Sequence, residues 1–518
     1  MKTRKLTAML LTLAMVMSLC SIGAAAVGYE PVSIAEGEPV TIQWTGNNGT
    51  VVSVDGSGYI PAEFILWVEN SDTIMVDGVS QKFSYTSADG ANFAFEVATK
   101  AAEMTITAVS GGVTYTITCP PKSAAPESNP TPTALNGYLP IGQYASGKQW
   151  GSPYSDGTAS TGSTPKVVGG YSGTGVSLGA AGGYVEYEMN VANRDDTLYG
   201  ADFIVYGNAF VGNPEAASVK VYGTPEGGTA GWYELAGSLY YADETLRNVD
   251  VTYKKVTAAG GEFNTPGIWY TVTRGSAIIC PWTKFNSNDA VAWWPETAEG
   301  YDRTWGNVED VIWDQVNDEI TYQNITLVRD TDTTPDYAFG YADITPNGSA
   351  YGTPANPYVY GTTGGNAFDI SWAVDANGMP VHLTSISKVR VYTSAALDIK
   401  SPNNPIFTVP AIFGETSAEV CGIYAVTGSS TGSYASELTL SIGEEAFSLE
   451  DFESMGGRVW LLEYGLEEGV NLSVSAASGA TVLINGEAVT TYTVTDEMVP
   501  VQIIVQVGDT APIIAVVK

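Results

Sequence analysis

The sequence predicts an all-β protein made of several β-sandwiches. Apolar and polar residues alternate in short runs, and turns rich in Gly, Asn, Asp and Pro separate these runs, a pattern typical of strands with one buried face. The composition agrees, with 57 glycines, 11% aromatic residues and only 15% charged residues. Because a single core stops growing beyond ~250–300 residues, the 518 residues predict three domains. We expect a larger, jelly-roll-like central sandwich with a short helical insertion, flanked by two immunoglobulin-like sandwiches.

Residues 1–26 have the layout of a secretory signal peptide. A basic opening precedes the apolar run Leu6–Leu19, and Ala24–Ala26 supply the small residues of a cleavage site. The run is shorter than the ~20 apolar residues that span a bilayer, and no later stretch approaches that length. We therefore expect an exported protein, extracellular or at the cell surface, without a membrane span.

The first sandwich is predicted over residues 27–122. Its alternating runs, such as Val113–Thr118, are separated by recurring Asp-Gly turns, and strands at this spacing are typical of immunoglobulin-sized domains. Residues 123–134 are rich in proline, which favours an extended spacer over a strand. This linker marks the clearest predicted domain boundary.

The central domain is predicted over residues 135–428. Between Pro281 and Tyr322 the composition changes, because tryptophans and acidic residues are concentrated there. Long loops on β scaffolds often carry binding groups, so we interpret this stretch as a functional insertion. Asn307 is a suitable cap, and acids follow it in the first turn, which predicts a short helix over residues 308–316.

The last sandwich is predicted over residues 431–518. Alternating runs such as Leu438–Ile442 and Val501–Val507 predict strands, and Asn485-Gly486 predicts a tight hairpin turn. The segment is similar to the small β-sandwich modules appended to many bacterial surface proteins. Because a fold does not give a function, a spacer role is the alternative.

The charge balance excludes several classes of partner. The chain has 22 Lys and Arg against 56 Asp and Glu, a net charge of −34, which repels phosphate backbones and anionic membranes. Nucleic acid is therefore excluded as a partner, whereas cations, neutral glycans and cationic ligands stay open. The sole histidine is His382, and because nucleophilic catalysis needs several partner groups at once, we expect it to be structural.

Three cysteines follow the predicted signal peptide: Cys119, Cys280 and Cys421. An exported chain can form one disulfide from three thiols. Cys280 and Cys421 fall in the same predicted domain and are the favoured pair. Free buried thiols are the alternative.

Two stretches supply candidate ligand-binding residues. Trp232, Tyr233 and Glu234 place two aromatic rings beside a carboxylate, directly after a glycine-rich loop. The predicted insertion adds Trp293, Trp294 and Trp305. Aromatic faces offer apolar area suited to a sugar or another planar ligand. The alternative is that these residues belong to the core.

Calcium is the ion that the sequence favours. Asp330, Asp332 and Asp336 place three carboxylates in one loop, and oxygen ligands at such spacings suit calcium. Asp375 and Asn377 form a second short oxygen cluster. Pro335 argues against a standard twelve-residue calcium loop, and solvated turns are the alternative.

Five sequence blocks resemble the core of a family of bacterial cell-surface proteins found largely in gut anaerobes. They are Tyr206–Phe210 (YGNAF), Trp232–Ser238 (WYELAGS), Ala367–Asp375 (AFDISWAVD), Val389–Thr393 (VRVYT) and Gly414–Val420 (GETSAEV). The resemblance covers roughly residues 135–425 and implies a cell-surface location. Family members occur among systems for nutrient capture, which implies a captured ligand such as a corrinoid.

The loop before the second block departs from the family pattern. Family members commonly carry an Asp- and Asn-rich loop there, which suits calcium. In this chain the loop is residues 223–231, and Glu226 is its only carboxylate. A calcium site is therefore not expected at this position.

The sequence favours a non-catalytic binding or adhesion protein that captures an extracellular glycan, a corrinoid-like molecule or a surface protein. One alternative is a glycoside hydrolase, which needs two carboxylates about 5–10 Å apart. Its candidates are the acids of the insertion: Glu296, Glu299, Asp302, Glu309, Asp310 and Asp314. A second alternative is a purely structural surface-layer component.

Overall fold

The computed structural model describes the chain in two compact units, residues 1–125 and 126–518. In the first unit it describes only the backbone of the strands. In the second unit it describes both backbone and side chains of residues 128–141, 167–172, 175–210, 214–225, 228–284, 294, 308–329, 338–359, 361–397, 417–430, 438–496 and 499–518.

Strands dominate both units, which confirms the all-β prediction. The first unit has the strands β1 Val32–Ser33, β2 Val40–Trp44, β3 Thr50–Val54, β4 Glu63–Glu69, β5 Thr73–Val76, β6 Val79–Ser80, β7 Tyr85–Thr86, β8 Asn92–Ala98, β9 Met104–Ser110 and β10 Val113–Cys119. They form a five-stranded sheet in the order β1-β10-β9-β5-β6, a three-stranded sheet β4-β8-β7 and the hairpin β2-β3.

The second unit has the strands β11 Ala134–Leu139, β12 Val176–Ser177, β13 Tyr184–Ala192, β14 Phe203–Tyr206, β15 Ala217–Pro225, β16 Gly231–Leu235, β17 Leu246–Val256, β18 Gly267–Arg274, β19 Ala277–Lys284, β20 Val311–Asp314, β21 Glu319–Asp330, β22 Asn366–Phe368, β23 Ala373–Val374, β24 Leu383–Thr393, β25 Ala395–Asp398, β26 Glu419–Val420, β27 Gly422–Ala425, β28 Leu438–Ile442, β29 Glu445–Ser448, β30 Glu453–Gly456, β31 Val459–Leu462, β32 Asn471–Ala476, β33 Thr481–Ile484, β34 Thr491–Thr493, β35 Val501–Gln506 and β36 Ile513–Val517. Helical structure among the described residues consists of 3-10 turns at Leu198–Gly200, Ile370–Trp372 and Leu449–Asp451. None of it is long and apolar enough to cross a membrane.

A six-stranded sheet lies at the centre of this unit, in the order β11-β13-β24-β15-β16-β23. Side chains alternate between its two faces, as the period of two requires. One face carries Val219, Val389 and Val391, which share a core with Phe203 of β14 and Phe368 of β22. The sheet β22-β14-β27 therefore covers that face.

The opposite face of the central sheet is covered by the sheet that β17 to β21 form. Tyr184 and Tyr392 of the central sheet share a second core with Tyr253, Tyr270 and Tyr322. Lys220 of β15, Glu234 of β16 and Arg390 of β24 are neighbours on this face. The central sheet is thus the middle of three layers, and its second face carries buried polar groups.

The predicted helix over residues 308–316 is wrong. Residues 311–314 form β20, which pairs antiparallel with β21. Val311 and Trp313 are buried, whereas the Ile312 between them is 48% exposed, and this alternation has the period of a strand. Asp310 adopts a left-handed backbone with φ of 66°, which a helix cannot continue through. The acids that suggested a first helical turn instead serve turns: the Asp314 carboxylate accepts the backbone N–H of Val316.

The C-terminal residues form a further sandwich from the sheets β29-β28-β32-β34 and β30-β31-β36-β35-β33. Leu440, Leu472, Ile503 and Ala515 lie in the core between them. Every residue of β35 and β36 is buried. One face of their sheet lies in the core of the C-terminal sandwich, and Ile504 on the other face packs in the core that contains Phe203 and Val219.

The cysteines settle one alternative left by the sequence. Cys280 and Cys421 are both buried and are not bonded to each other, so the favoured disulfide is wrong. Cys280 lies in the core under β17–β21, whereas Cys421 packs with Tyr206 in a separate cluster. The side chain of Cys119 lies outside the described residues.

Candidate functional site

The first predicted binding group lies on β16, and its three side chains have different surroundings. Trp232 is partly buried, with the guanidinium of Arg390 4.2 Å from its ring centroid and the Tyr222 ring edge-on at 5.4 Å. Tyr233 is also partly buried and donates its hydroxyl to the carbonyl of Thr229 at 3.2 Å. Glu234 is 8% exposed. Alternation along the strand therefore places Trp232 and Glu234 on the same face of the sheet, where Glu234 points between two sheets, and Tyr233 on the opposite face.

Glu234 belongs to a group of buried polar side chains that we call the polar layer: Glu186, Lys220, Glu234, Arg390 and Tyr392. The Tyr392 hydroxyl donates to both Glu234 oxygens, at 2.7 and 2.9 Å. Burial raises the pKa of the Glu234 carboxyl to about 7, against the opposing effect of the nearby Lys220 ammonium. Burial likewise lowers the pKa of Lys220.

The basic side chains of the polar layer both have acidic partners, which are Glu186 for Arg390 and Asp310, 3.9 Å away and outside the layer, for Lys220. Arg390 donates to Glu186 through Nε at 2.9 Å and Nη2 at 2.8 Å, and to the Glu309 carbonyl at 2.8 Å. Lys220 donates to the Asn324 carbonyl at 2.7 Å. The cavity beside these residues measures about 10 Å³, which holds no more than about one water molecule. The polar layer thus joins two sheets and leaves no room for a larger ligand.

The other predicted site residues are placed less favourably for binding or lie outside the described part. Trp294 is 3% exposed and packs in the second core. Trp293 and Trp305 lie outside the described residues. So do Asp332, Asp336 and the side chain of Asp330, whose backbone ends β21.

Asp375 and Asn377, the second oxygen cluster considered in the sequence analysis, form a turn. The Asp375 carboxylate accepts the backbone N–H groups of Asn377 and Met379, at 2.7 and 2.9 Å. This is the local hydrogen bonding that favours Asp in turns. The sole histidine, His382, is partly buried against Gly456 and Gly457 of the C-terminal sandwich, and this burial lowers its pKa.

A surface group that the sequence did not single out is a stack of tyrosines, which we call the tyrosine ladder: Tyr171, Tyr351 and Tyr424. The Tyr351 ring lies 4.8 Å from Tyr171 at an interplanar angle of 28° and 5.4 Å from Tyr424 at 18°. Tyr171 is 39% and Tyr351 41% exposed. The ladder therefore presents ring edges, hydroxyls and part of its ring faces to solvent.

The ladder is held from below by Tyr206, the first residue of the YGNAF block. The Tyr206 ring meets Tyr351 edge-on at 5.0 Å and Tyr424 edge-on at 5.8 Å. Its hydroxyl donates to the Ala350 carbonyl at 3.2 Å and accepts the N–H of Gly352 at 3.2 Å. The ladder is therefore a built arrangement on paired strands, since Ile204 of β14 is in register with Tyr424 of β27.

A third group, also missed from the sequence, is a cluster of acids that we call the carboxylate cluster: Glu215, Asp343 and Glu419. One oxygen from each lies within 4.8 Å of the others, and Asp343 and Glu419 are buried. Burial raises the pKa of Asp343 to about 6. Burial, followed by the charge of Asp343, raises the pKa of Glu419 to about 9.

Two of the sequence blocks contain residues of the tyrosine ladder's support and of the carboxylate cluster. Tyr206 lies in the YGNAF block and Glu419 in the GETSAEV block, so two of the five blocks meet at these sites. Tyr171, Tyr351 and Asp343 lie in irregular segments without periodicity, and only the fold brings them there.

Comparisons with known proteins give no further assignment. A scan against models of protein families finds no match for this chain, and a search of curated proteins finds no similar sequence.

Proposed function

We propose that this protein is an extracellular, non-catalytic binding protein that holds a neutral glycan against the tyrosine ladder. The observation that carries the proposal is the ladder itself, in which two tyrosines are about two-fifths exposed although they stack on each other. Aromatic rings that stay exposed on a rigid support offer apolar area with little conformational entropy to lose.

The chemistry of the ladder suits a sugar. A pyranose ring has apolar C–H faces that pack on aromatic carbon, and hydroxyls that hydrogen-bond to tyrosine oxygens. The net charge of −34 disfavours an anionic ligand. A neutral glycan therefore fits both the rings and the charge of the chain.

The rigidity of the ladder supports binding without large rearrangement. Tyr424 accepts the backbone N–H of Tyr171 at 2.8 Å, so the outer rings are tied to each other as well as stacked. Preorganised side chains reduce the entropy lost on binding. Tyr351 is the central ring and contacts both others, which makes it the residue whose removal tests the site most directly.

The test is a glycan panel measured with the wild type, with Y351A, and with Y492A as a matched control on the C-terminal sandwich. Tyr492 is a partly buried tyrosine distant in sequence. We expect a neutral glycan to bind the wild type and Y492A equally, and Y351A to bind at least 10-fold more weakly, since a buried aromatic side chain contributes about 1.5–3 kcal/mol.

Three outcomes would overturn the proposal. Binding that Y351A retains in full would place the ligand elsewhere, and binding of a corrinoid but no glycan would change the ligand class. Release of cleaved sugar would show a hydrolase.

A further inference from the structure

The carboxylate cluster brings together three chain segments that are distant in sequence. Glu215 precedes β15, Asp343 lies between β21 and β22, and Glu419 begins β26. The oxygens that face one another lie within 4.8 Å. Like charges at this distance repel strongly in a buried setting, so this arrangement needs a compensating group.

Asp343 is held firmly in position by the backbone. Its Oδ1 accepts the N–H groups of Asn208 and Ala209, both at 2.7 Å, and its Oδ2 accepts the N–H of Glu419 at 2.8 Å. Two hydrogen bonds occupy Oδ1, whereas Oδ2 keeps one lone pair for another partner. The Asp343 backbone is left-handed, with φ of 59°, a conformation that non-glycine residues adopt mainly where the surroundings enforce it.

A buried hydroxyl completes one side of the cluster. Ser177 is fully buried and lies directly opposite Glu419 in the β12–β26 pair. It is close enough to lower the pKa of that carboxyl, yet its Oγ makes no hydrogen bond of normal geometry in the described part of the chain. Buried hydroxyls nearly always have a partner. This oxygen beside the carboxylates therefore points to a ligand independently of the acids.

Among the ion pairs that the described residues form, none includes Asp343 or Glu419. The hydroxyl of Ser417 lies 3.3 Å from Glu419 Oε1, which is a neutral partner. An uncompensated buried carboxylate is costly, and either a proton or a cation relieves that cost.

We propose that Glu215, Asp343 and Glu419, with the Ser177 hydroxyl, bind one calcium ion. The ligand set consists of oxygen only, which hard cations prefer, and Ca–O distances of about 2.3–2.6 Å allow ligand oxygens on opposite sides to lie nearly 5 Å apart. The cluster meets that span without movement. Mg²⁺ demands a tighter octahedron at about 2.0–2.1 Å, so it binds more weakly here.

Calcium at this position ties the YGNAF segment to the strands of the tyrosine ladder. Asn208 and Ala209, which donate to Asp343, follow Tyr206 directly, and β26 leads into the strand that carries Tyr424. The ion is thus a structural one, and its binding is measurable without knowledge of the ligand of the ladder.

The experiment is calorimetric titration of the purified protein with CaCl₂ and with MgCl₂ after removal of divalent ions with a chelator. We expect one calcium ion to bind more tightly than magnesium, and a saturating concentration to raise Tm by about 3–5 °C. E215Q and E419Q keep the side-chain shape and are expected to weaken calcium binding at least tenfold. S177A is expected to weaken it severalfold.

The matched control is the variant D330N/D332N/D336N, which removes the carboxylates of the other candidate calcium loop. It is expected to keep the ion that E215Q and E419Q lose. The proposal is overturned if the chelated wild type binds no calcium, if E215Q and E419Q bind it as tightly as the wild type, or if only the control variant loses it. Circular dichroism of each variant verifies that the fold is retained.

Discussion

The polar layer and the carboxylate cluster both bury acids in the central part of the fold. The ion pairs of the described residues bring a basic side chain to Glu186 of the polar layer, but none of them includes Asp343 or Glu419 of the carboxylate cluster. In the polar layer Glu186 has Arg390 at 2.8 Å, and Glu234 lies beside Lys220 and Tyr392. In the carboxylate cluster Asp343 accepts hydrogen bonds from three backbone N–H groups. The first arrangement is typical of a structural join between sheets, and the second of a site completed by an ion from solution.

The comparison predicts its largest effect for the arginine of the polar layer. R390A leaves Glu186 buried without its main partner, because Lys388 is 3.9 Å from that carboxylate and partly exposed. Removing one partner of a buried pair costs about 3–5 kcal/mol, so R390A is expected to lower the free energy of unfolding by that amount in a denaturant titration.

The control for R390A is R194A. Arg194 pairs with Asp196 at 3.0 Å on the surface, where the Asp196 side chain is 71% exposed. Such pairs contribute about 0–1 kcal/mol, so R194A is expected to change stability little. Equal effects of the two substitutions would show that the polar layer is not a compensated buried network.

The second prediction concerns the pH dependence of stability. The Glu234 carboxyl has a pKa of about 7 in the folded protein against an ordinary value of 4.5. At pH values between 4.5 and 7 the Glu234 carboxyl is protonated in the folded state and ionised in the unfolded state. Its stabilising effect is full below pH 4.5 and is lost as the pH rises through 7.

E234Q removes this proton and is expected to flatten the stability profile by roughly 2–3 kcal/mol between pH 5 and pH 8, by the value of 1.36 kcal/mol per pKa unit. The measurement is chemical denaturation at several pH values. E463Q, at an exposed glutamate of the C-terminal sandwich, serves as the control and should leave the profile unchanged. An E234Q profile as steep as that of the wild type would refute the assignment.

Much of the fold was predictable from the sequence, because strand alternation depends only on which face is buried. The strand β20 was not predictable in this way, because an asparagine followed by acids is typical of the start of a helix. Pairing with β21 and the alternating burial of Val311, Ile312 and Trp313 make this segment a strand. The candidate sites were less predictable still. Trp294 and Glu234 have suitable chemistry but are buried, whereas Asp343 acquires its neighbours only through tertiary contacts.

The third prediction tests the packing of the carboxylate cluster. A Cβ at Gly207 would lie 2.0 Å from Asp343 Oδ1, so G207A must displace a carboxylate that backbone N–H groups hold. Overpacking of this kind costs about 1–3 kcal/mol. We expect Tm to fall and calcium affinity to fall with it.

Gly260 provides the comparison for G207A, because a Cβ there would meet nothing within 4 Å. G260A is expected to leave both Tm and calcium affinity unchanged. Retention of full calcium affinity in G207A would show that the position of Asp343 does not matter for the ion.

The smallest expected effect is the change in the free energy of unfolding when one buried glutamate is replaced by glutamine. Its sign is expected to differ between the carboxylate cluster and the polar layer. In calcium-free buffer at neutral pH, burial and the charge of Asp343 keep the Glu419 carboxyl protonated in the folded state. E419Q removes the free-energy cost of that protonation and is expected to raise the free energy of unfolding by about 1 kcal/mol. In the polar layer E186Q removes a charge that Arg390 compensates and is expected to lower it. Saturating calcium should reverse the order for E419Q, because the wild type then gains the ion and the variant does not. Denaturation of all three proteins with and without calcium measures this directly. If E419Q is destabilising without calcium, the cluster is compensated from within the chain, and the distinction between the two regions does not hold.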